Sequence, residues 1–278
     1  GRLEAISSLL AEKPAALYGQ YTFGMDLINL PPSFVYPVTM SLIPFAAAAM
    51  ARKDSAGANR IISSAFRLIA ILAIPAGVGL SVLSGPILMM LYPAQKEAAM
   101  AAGPHLQVLG IACIFICLMT LTNAILQSYG HERIPICTMI AGGIVKIVMN
   151  YVLVGNPDIN IHGAPISTLC CYLVISGLNL FFVWKYSPEK PRYLQLFTKP
   201  VIASALMGGA AWAVHGLVLQ ALTGGEYAYG ANALATFLGI GAGVVVYFVL
   251  VIALRILRAE DMKGIPHGQT LVRLLHLR

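Results

Sequence analysis

The sequence predicts an all-α fold, a polytopic membrane helical bundle of about seven transmembrane helices, and three observations predict it. Hydrophobic residues make up 58% of the 278 residues and charged ones only 10%. The apolar residues fall into blocks of roughly 20, the length at which a helix crosses a ~30 Å hydrocarbon layer. The cations gather in alternate gaps between those blocks, following the positive-inside bias of multi-pass proteins.

That bias also explains the formal charge of +7, which would otherwise suggest a nucleic-acid partner. With the C-terminus cytoplasmic, fourteen of the eighteen lysines and arginines fall on the cytoplasmic side. They run from Arg52, Lys53, Arg60 and Arg67 through Arg133, Lys185, Lys190, Arg192 and Lys199 to Arg255 and the tail. Arg2, Lys13 and Lys96 fall outside, and Lys146 lies within the membrane. The basic excess is therefore topological, and no nucleic acid is expected as a partner. The expected address is the plasma membrane, crossed several times, with an external N-terminal segment.

The spans are expected at roughly 18–50, 62–91, 104–129, 134–155, 163–186, 200–222 and 231–257. Five of them form one lobe, 18–186, after a polar external lead-in, 1–17. A cytoplasmic loop, 187–199, separates the lobe from two further spans, 200–257, and a basic tail, 258–278, is expected on the inner membrane surface. The chain starts at Gly1 without an initiator Met or a signal-like segment, so it is expected to be a fragment lacking an N-terminal part.

The first span carries Asp26 and Asn29 just ahead of Pro31 and Pro32. Prolines remove backbone donors and free carbonyls one turn earlier, which kinks a helix or builds a polar pocket at membrane depth. Pro75 and Pro86 act on the second span in the same way. The third is apolar until Asn123 and Gln127, four apart and so on one face, as expected of an interhelical hydrogen bond. The turn that follows holds His131, Glu132 and Arg133, a compact polar cluster read as a solvated loop or a gate contact.

The fourth span holds the most informative residue, Lys146, with Asn150 one turn away. A lysine near the centre of a membrane helix costs several kcal/mol, so it is expected in a bundle interior or wet cavity beside a partner. The fifth span opens with Gly163 and Ala164 and places Thr168 one turn beyond. Counting ~1.5 Å per residue from the intervening loop, Asn150 and Thr168 both lie ~7 Å deep and are expected to face each other. Asp26 and Lys146 lie ~12 and ~13 Å deep by the same rise, so depth allows them to pair. In the last span Gly239, Gly241 and Gly243 are read as small residues at a helix contact, not a nucleotide loop.

Enzyme chemistry finds no support. The six histidines include no pair at ligand spacing, and no hydrolase serine elbow or phosphate loop occurs. The five cysteines lie inside apolar blocks and are read as packing residues.

Several runs in order carry a family resemblance. They are Leu17-Tyr18-Gly19 to Asn29-Leu30-Pro31, Ser41-Leu42-Ile43-Pro44, Ile74-Pro75, Leu91-Tyr92-Pro93, Lys146-x-x-x-Asn150 and His162-Gly163-Ala164-x-x-x-Thr168. Together they resemble the C-terminal part of a flippase for polysaccharides or lipid-linked oligosaccharides. Such proteins belong to the multidrug/oligosaccharidyl-lipid/polysaccharide exporter superfamily, and the runs resemble the branch that holds stage V sporulation protein B and its lipid II flippase relatives. The resemblance implies the C-terminal half of a fourteen-helix, two-lobe transporter, the other half being the missing partner. It implies movement of a lipid-linked sugar precursor by alternating access, contact with membrane lipid, and no enzymatic activity. The alternative is a cation-coupled multidrug or small-molecule exporter of the same superfamily, a twelve-span design that two extra spans argue against.

In that frame the substrate or cavity residues are Asp26, Asn29, Lys146, Asn150 and Thr168, and the gate candidates are His131, Glu132 and Arg133. Two departures qualify the resemblance. Some lipid II flippases carry an arginine where this sequence has Asp26 and Asn29. Some relatives bind sodium at positions that match Lys146, Asn150, Ala164 and Thr168, so the resemblance implies that a lysine ammonium here occupies or replaces that cation site. Sodium is therefore not carried over, no cofactor or metal is expected, and ion coupling stays open.

Overall fold

The computed structural model describes residues 14–156, 159–224 and 228–256. The lead-in ahead of Pro14 and the basic tail beyond Ile256 lie outside the described residues. Nine α-helices are described. They are α1 (Pro14–Ile28), α2 (Leu30–Ala51), α3 (Ser55–Val82), α4 (Ser84–Leu91), α5 (Lys96–Ser128), α6 (Arg133–Leu153), α7 (Gly163–Tyr186), α8 (Tyr193–Thr223) and α9 (Tyr229–Ala253). Seven stretches are long and apolar enough to cross a membrane, α1 and α2 together forming the first, and no strand occurs among the described residues.

The expected breaks occur at the prolines. The first crossing is interrupted at Asn29, after which Pro31 and Pro32 occupy the opening turn of α2, where a missing N–H is harmless. The second is interrupted at Leu83, three residues before Pro86, so that α4 is a separate short helix. Neighbouring helices take up two of the carbonyls that prolines free. Pro32 leaves the Ile28 carbonyl without its helical donor, and the Cys113 thiol of α5 donates to it at 3.4 Å. Pro75 frees the carbonyl of Ile71, and the Tyr247 hydroxyl of α9 donates to it at 2.9 Å. Cys113 thus does more than fill space.

Helix α5 is the hub. It packs against α1, α2, α3, α4 and α7 and is buried along most of its length. Leu106, Leu109, Leu121 and Ile125 from α5 meet Phe66 and Ile69 from α3 in a fully buried core. Because lipid tails are as apolar as leucine, burial alone drives helix association weakly in a bilayer, and close approach and hydrogen bonding matter more. The α3–α5 crossing shows the close approach. A Cβ on Gly77 would stand 2.6 Å from the Gly110 carbonyl oxygen, and one on Gly110 would stand 2.7 Å from the Ser81 nitrogen.

The remaining helices flank this centre. On one side α7 lies on α5, and α6 packs almost entirely on α7. On the other, α8 and α9 pair with each other, α8 against α3 and α9 against α4. Gly239 meets the Ala211 carbonyl and Gly243 the Ala211 side chain, while Gly241 faces open space. Three boundaries differ from expectation, the first being that α3 starts at Ser55 rather than 62. Helix α5 starts at Lys96 rather than 104, and α8 at Tyr193 rather than 200, so only Ser187 to Arg192 of the expected 187–199 loop is non-helical. Polar residues at an interfacial helix end fall outside an apolar block without ending the helix.

Candidate functional site

A column of residues four apart, Thr138, Gly142, Lys146 and Asn150, forms the edge that α6 presents to α7. At one end the Thr138 hydroxyl donates to Asn179 Oδ1 at 2.7 Å. At Gly142 a Cβ would stand 3.1 Å from the Cys171 carbonyl oxygen, so glycine sets how closely the helices approach. At the other end the Ser167 hydroxyl donates to Asn150 Oδ1 at 2.6 Å. Lys146 sits between these contacts, half-buried and beside Cys171. Its ammonium makes no hydrogen bond or ion pair among the described residues.

Lys146 therefore lies at the seam of the α6–α7 hairpin, next to the exposed Ile144 and Ile147, and no carboxylate stands beside its ammonium among the described residues. Asp26 is not its partner. That carboxylate is exposed on α1, a helix that is not a neighbour of α6, and it makes no ion pair among the described residues. Asn150 and Thr168 also part company. Asn150 meets Ser167, whereas Thr168, a further ~100° around the helix, is fully buried toward α1 and shares a 3.0 Å hydrogen bond with the Tyr21 hydroxyl.

The polar knot of the lobe is Asn179, which the sequence reading missed. Its Nδ2 donates to Asn123 Oδ1 at 2.7 Å and Thr122 Oγ1 at 3.2 Å, while its Oδ1 accepts from Thr138, so α5, α6 and α7 are joined through one fully buried side chain. Asn123 makes the expected interhelical hydrogen bond, but Gln127 is exposed.

Asp26, Asn29 and Ser33 line up at helical spacing on a face of α1 and α2 that no described helix covers. Asn29 Nδ2 donates to the Met25 carbonyl at 2.9 Å, and the Ser33 hydroxyl to the Asn29 carbonyl at 2.8 Å, which satisfies the backbone around the break. Asp26 makes no hydrogen bond among the described residues. Beside this line α2 exposes Phe34, Tyr36, Met40 and Phe45, while Val35, Thr39, Leu42, Ala46 and Ala49 face inward.

Of the three gate candidates, Glu132 and Arg133 are exposed, and the His131 ring rests 4.1 Å from that of Tyr186. A second histidine contact was invisible to spacing. His105 of α5 and His162, ahead of α7, are 57 residues apart in the chain, yet His105 Nε2 and His162 Nδ1 lie 2.9 Å apart. The described residues hold no group of three histidines, cysteines or carboxylates able to bind a metal ion.

Comparison with known proteins adds the family context. The protein-family model described as "Lipid II flippase MurJ" matches residues 5–232. The chain is 28% identical over 272 residues to the "Uncharacterized membrane protein YabM" of Bacillus subtilis (strain 168), covering 96% of this chain and 48% of that protein. It is 21% identical over 273 residues to stage V sporulation protein B of the same organism, covering 97% of this chain and 50% of that one. The chain thus spans about half the length of the curated relatives it matches. A solved structure described as the inward-facing conformation of a multidrug resistance MATE family transporter of the MOP superfamily matches with a TM-score of 0.51 and 17% identity. That match covers 94% of this chain and 59% of the other, and it supports the fold alone.

Proposed function

Because the chain belongs to the lipid II flippase MurJ family, a family of multi-pass membrane transporters rather than of enzymes, we propose that it forms one lobe of a flippase. The cargo is a lipid-linked oligosaccharide or cell-wall precursor, carried across the plasma membrane by alternating access for envelope synthesis. In this reading Asp26, Asn29 and Ser33 face the central water-filled cavity. A second lobe stands opposite, and the cavity admits the precursor's sugar and phosphate groups. His131, Glu132 and Arg133 stay at the cytoplasmic turn as candidate gate contacts.

Asp26 is the observation that carries the proposal. It is an exposed carboxylate without a partner among the described residues, within a long apolar crossing, and ionisable groups at membrane depth face a bundle interior or a water-filled cavity, not lipid. The α8–α9 pair beyond the five-span lobe favours the flippase over the twelve-span exporter of small molecules. Single cysteines at Asp26, Asn29 and Ser33 in the intact protein should react with a membrane-impermeant thiol reagent and be protected by a lipid-linked precursor. Asp26→Asn should slow flipping in proteoliposomes by about 10-fold or more. Cysteines that react only with lipid-soluble reagents would place this face against the bilayer and overturn the assignment.

A further inference from the structure

A cavity of about 780 Å³ opens where α3, α8 and α9 meet the Ser187–Arg192 connection. Arg67, Lys190, Arg192, Lys199 and Arg255 line it against a single carboxylate, Glu189. That carboxylate is already engaged, accepting from Asn59 Nδ2 at 2.6 Å. Lys190 donates to the Trp184 and Lys185 carbonyls at 2.8 and 3.3 Å, and Lys199 to the Leu254 carbonyl at 2.8 Å. The guanidinium groups of Arg192 and Arg255 make no hydrogen bond or ion pair among the described residues. Arg255 also holds a left-handed backbone with φ of 49°, a conformation that a long side chain adopts at a cost. Five cations around one opening repel each other, and an anion seated among them removes that repulsion.

The walls say which anion. Leu194, on the rim, is 85% exposed, the highest value among the large hydrophobic side chains described. Trp184 lies beside the opening with the Lys190 ammonium 4.5 Å from its ring centroid, and tryptophan with lysine marks the level of the lipid headgroups. Exposed cations and an exposed leucine around one opening at that level match an amphiphile. Basic pockets between transmembrane helices take phosphorylated headgroups, and an arginine fork fits a phosphate through two parallel hydrogen bonds. The size suits a headgroup, since small-molecule sites run from about 300 to 1,000 Å³.

We propose that this cavity binds the phosphate of an anionic phospholipid from the surrounding leaflet, with Arg192 and Arg255 holding the phosphate and Leu194 meeting the start of an acyl chain. The bound lipid ties the α8–α9 pair to α3. The site rests on the chain being a membrane protein and not on what it transports, so it stands or falls separately from the flippase reading.

The test uses the intact protein in phosphatidylcholine nanodiscs containing a photoactivatable phosphatidylglycerol, with adducts mapped by peptide mass spectrometry. Adducts are expected around residues 187–200 and at the end of α9, and phosphatidylcholine carrying the same photoactivatable group should give few there. Each of Arg192→Gln and Arg255→Gln should cut the yield by about 10-fold, while Arg→Lys at both positions should retain part of it. Both arginines are exposed, and an unchanged melting temperature checks that the fold persists. Leu194→Glu gives an independent reading, since a carboxylate on the rim repels phosphate and should also lower the yield. Adduct yields indifferent to all three substitutions, or equal yields from phosphatidylcholine, would overturn the proposal. Loss of the adducts to millimolar inorganic phosphate would mean that a free anion is the ligand, and would overturn the lipid assignment.

Discussion

Lys146 carries a fixed charge that nothing in the described lobe neutralises. A lysine stem can lie along an apolar seam while its ammonium reaches toward water or a polar group. Lys146→Met keeps the stem and removes the charge, so expression should stay near normal. Flipping in proteoliposomes should fall by at least about 10-fold if the charge acts on the transported phosphates or on a gating step. Normal flipping would remove Lys146 from the mechanism. Because α1 and α6 are not neighbours, Asp26→Asn and Lys146→Met should combine additively in stability, within about 0.5 kcal/mol, as distant sites do. The sequence marked both residues as unusual, because a charge inside an apolar block stands out. Their separation was hidden, because depth along a helix says nothing about which helices touch. The pairing of His105 with His162 was hidden for the same reason.

The proline-bearing helices depend on their neighbours. The Tyr247 hydroxyl of α9 takes the place of the backbone donor that Pro75 denies to the Ile71 carbonyl. Tyr247→Phe should therefore destabilise the fold by about 1 kcal/mol, read as unfolding in bicelles. In a Pro75→Ala background, where the restored N–H reaches Ile71, the same substitution should cost less than half as much, and equal costs in both backgrounds would reject the pairing. The spans themselves were legible, since block length alone nearly sets them. The hub was not. Inward and lipid-facing residues of α5 are both apolar, so no periodicity tells the core side from the membrane side, and only contacts single this helix out.

The basic residues orient the whole molecule in the proposed topology. Single cysteines in place of Arg52 and Arg192 should be labelled only from the cytoplasm and one in place of Lys96 only from outside. Reversed labelling would invert the topology. The lobe's layout, with α6 and α7 on one side of the hub and α8 and α9 on the other, was beyond reach of the sequence, because it rests on contacts such as Gly77 with Gly110 that lie far apart in the chain. The Asn179 knot has a consequence for how the chain is made. Synthesis runs at about 5–20 residues per second, so Asn123 enters the membrane roughly 3–11 s before Asn179, 56 residues later, arrives to donate to it. Through that interval the hub helix carries an unmatched amide in the bilayer, and α6, inserted in between, brings a Thr138 hydroxyl that has only the Pro135 carbonyl of its own helix to donate to. Insertion of α7 closes both at once, so this lobe commits to its packing late, at the fifth crossing, and a ribosome stalled before that point leaves a nascent chain that quality-control proteases can recognise by its unpaired polar groups.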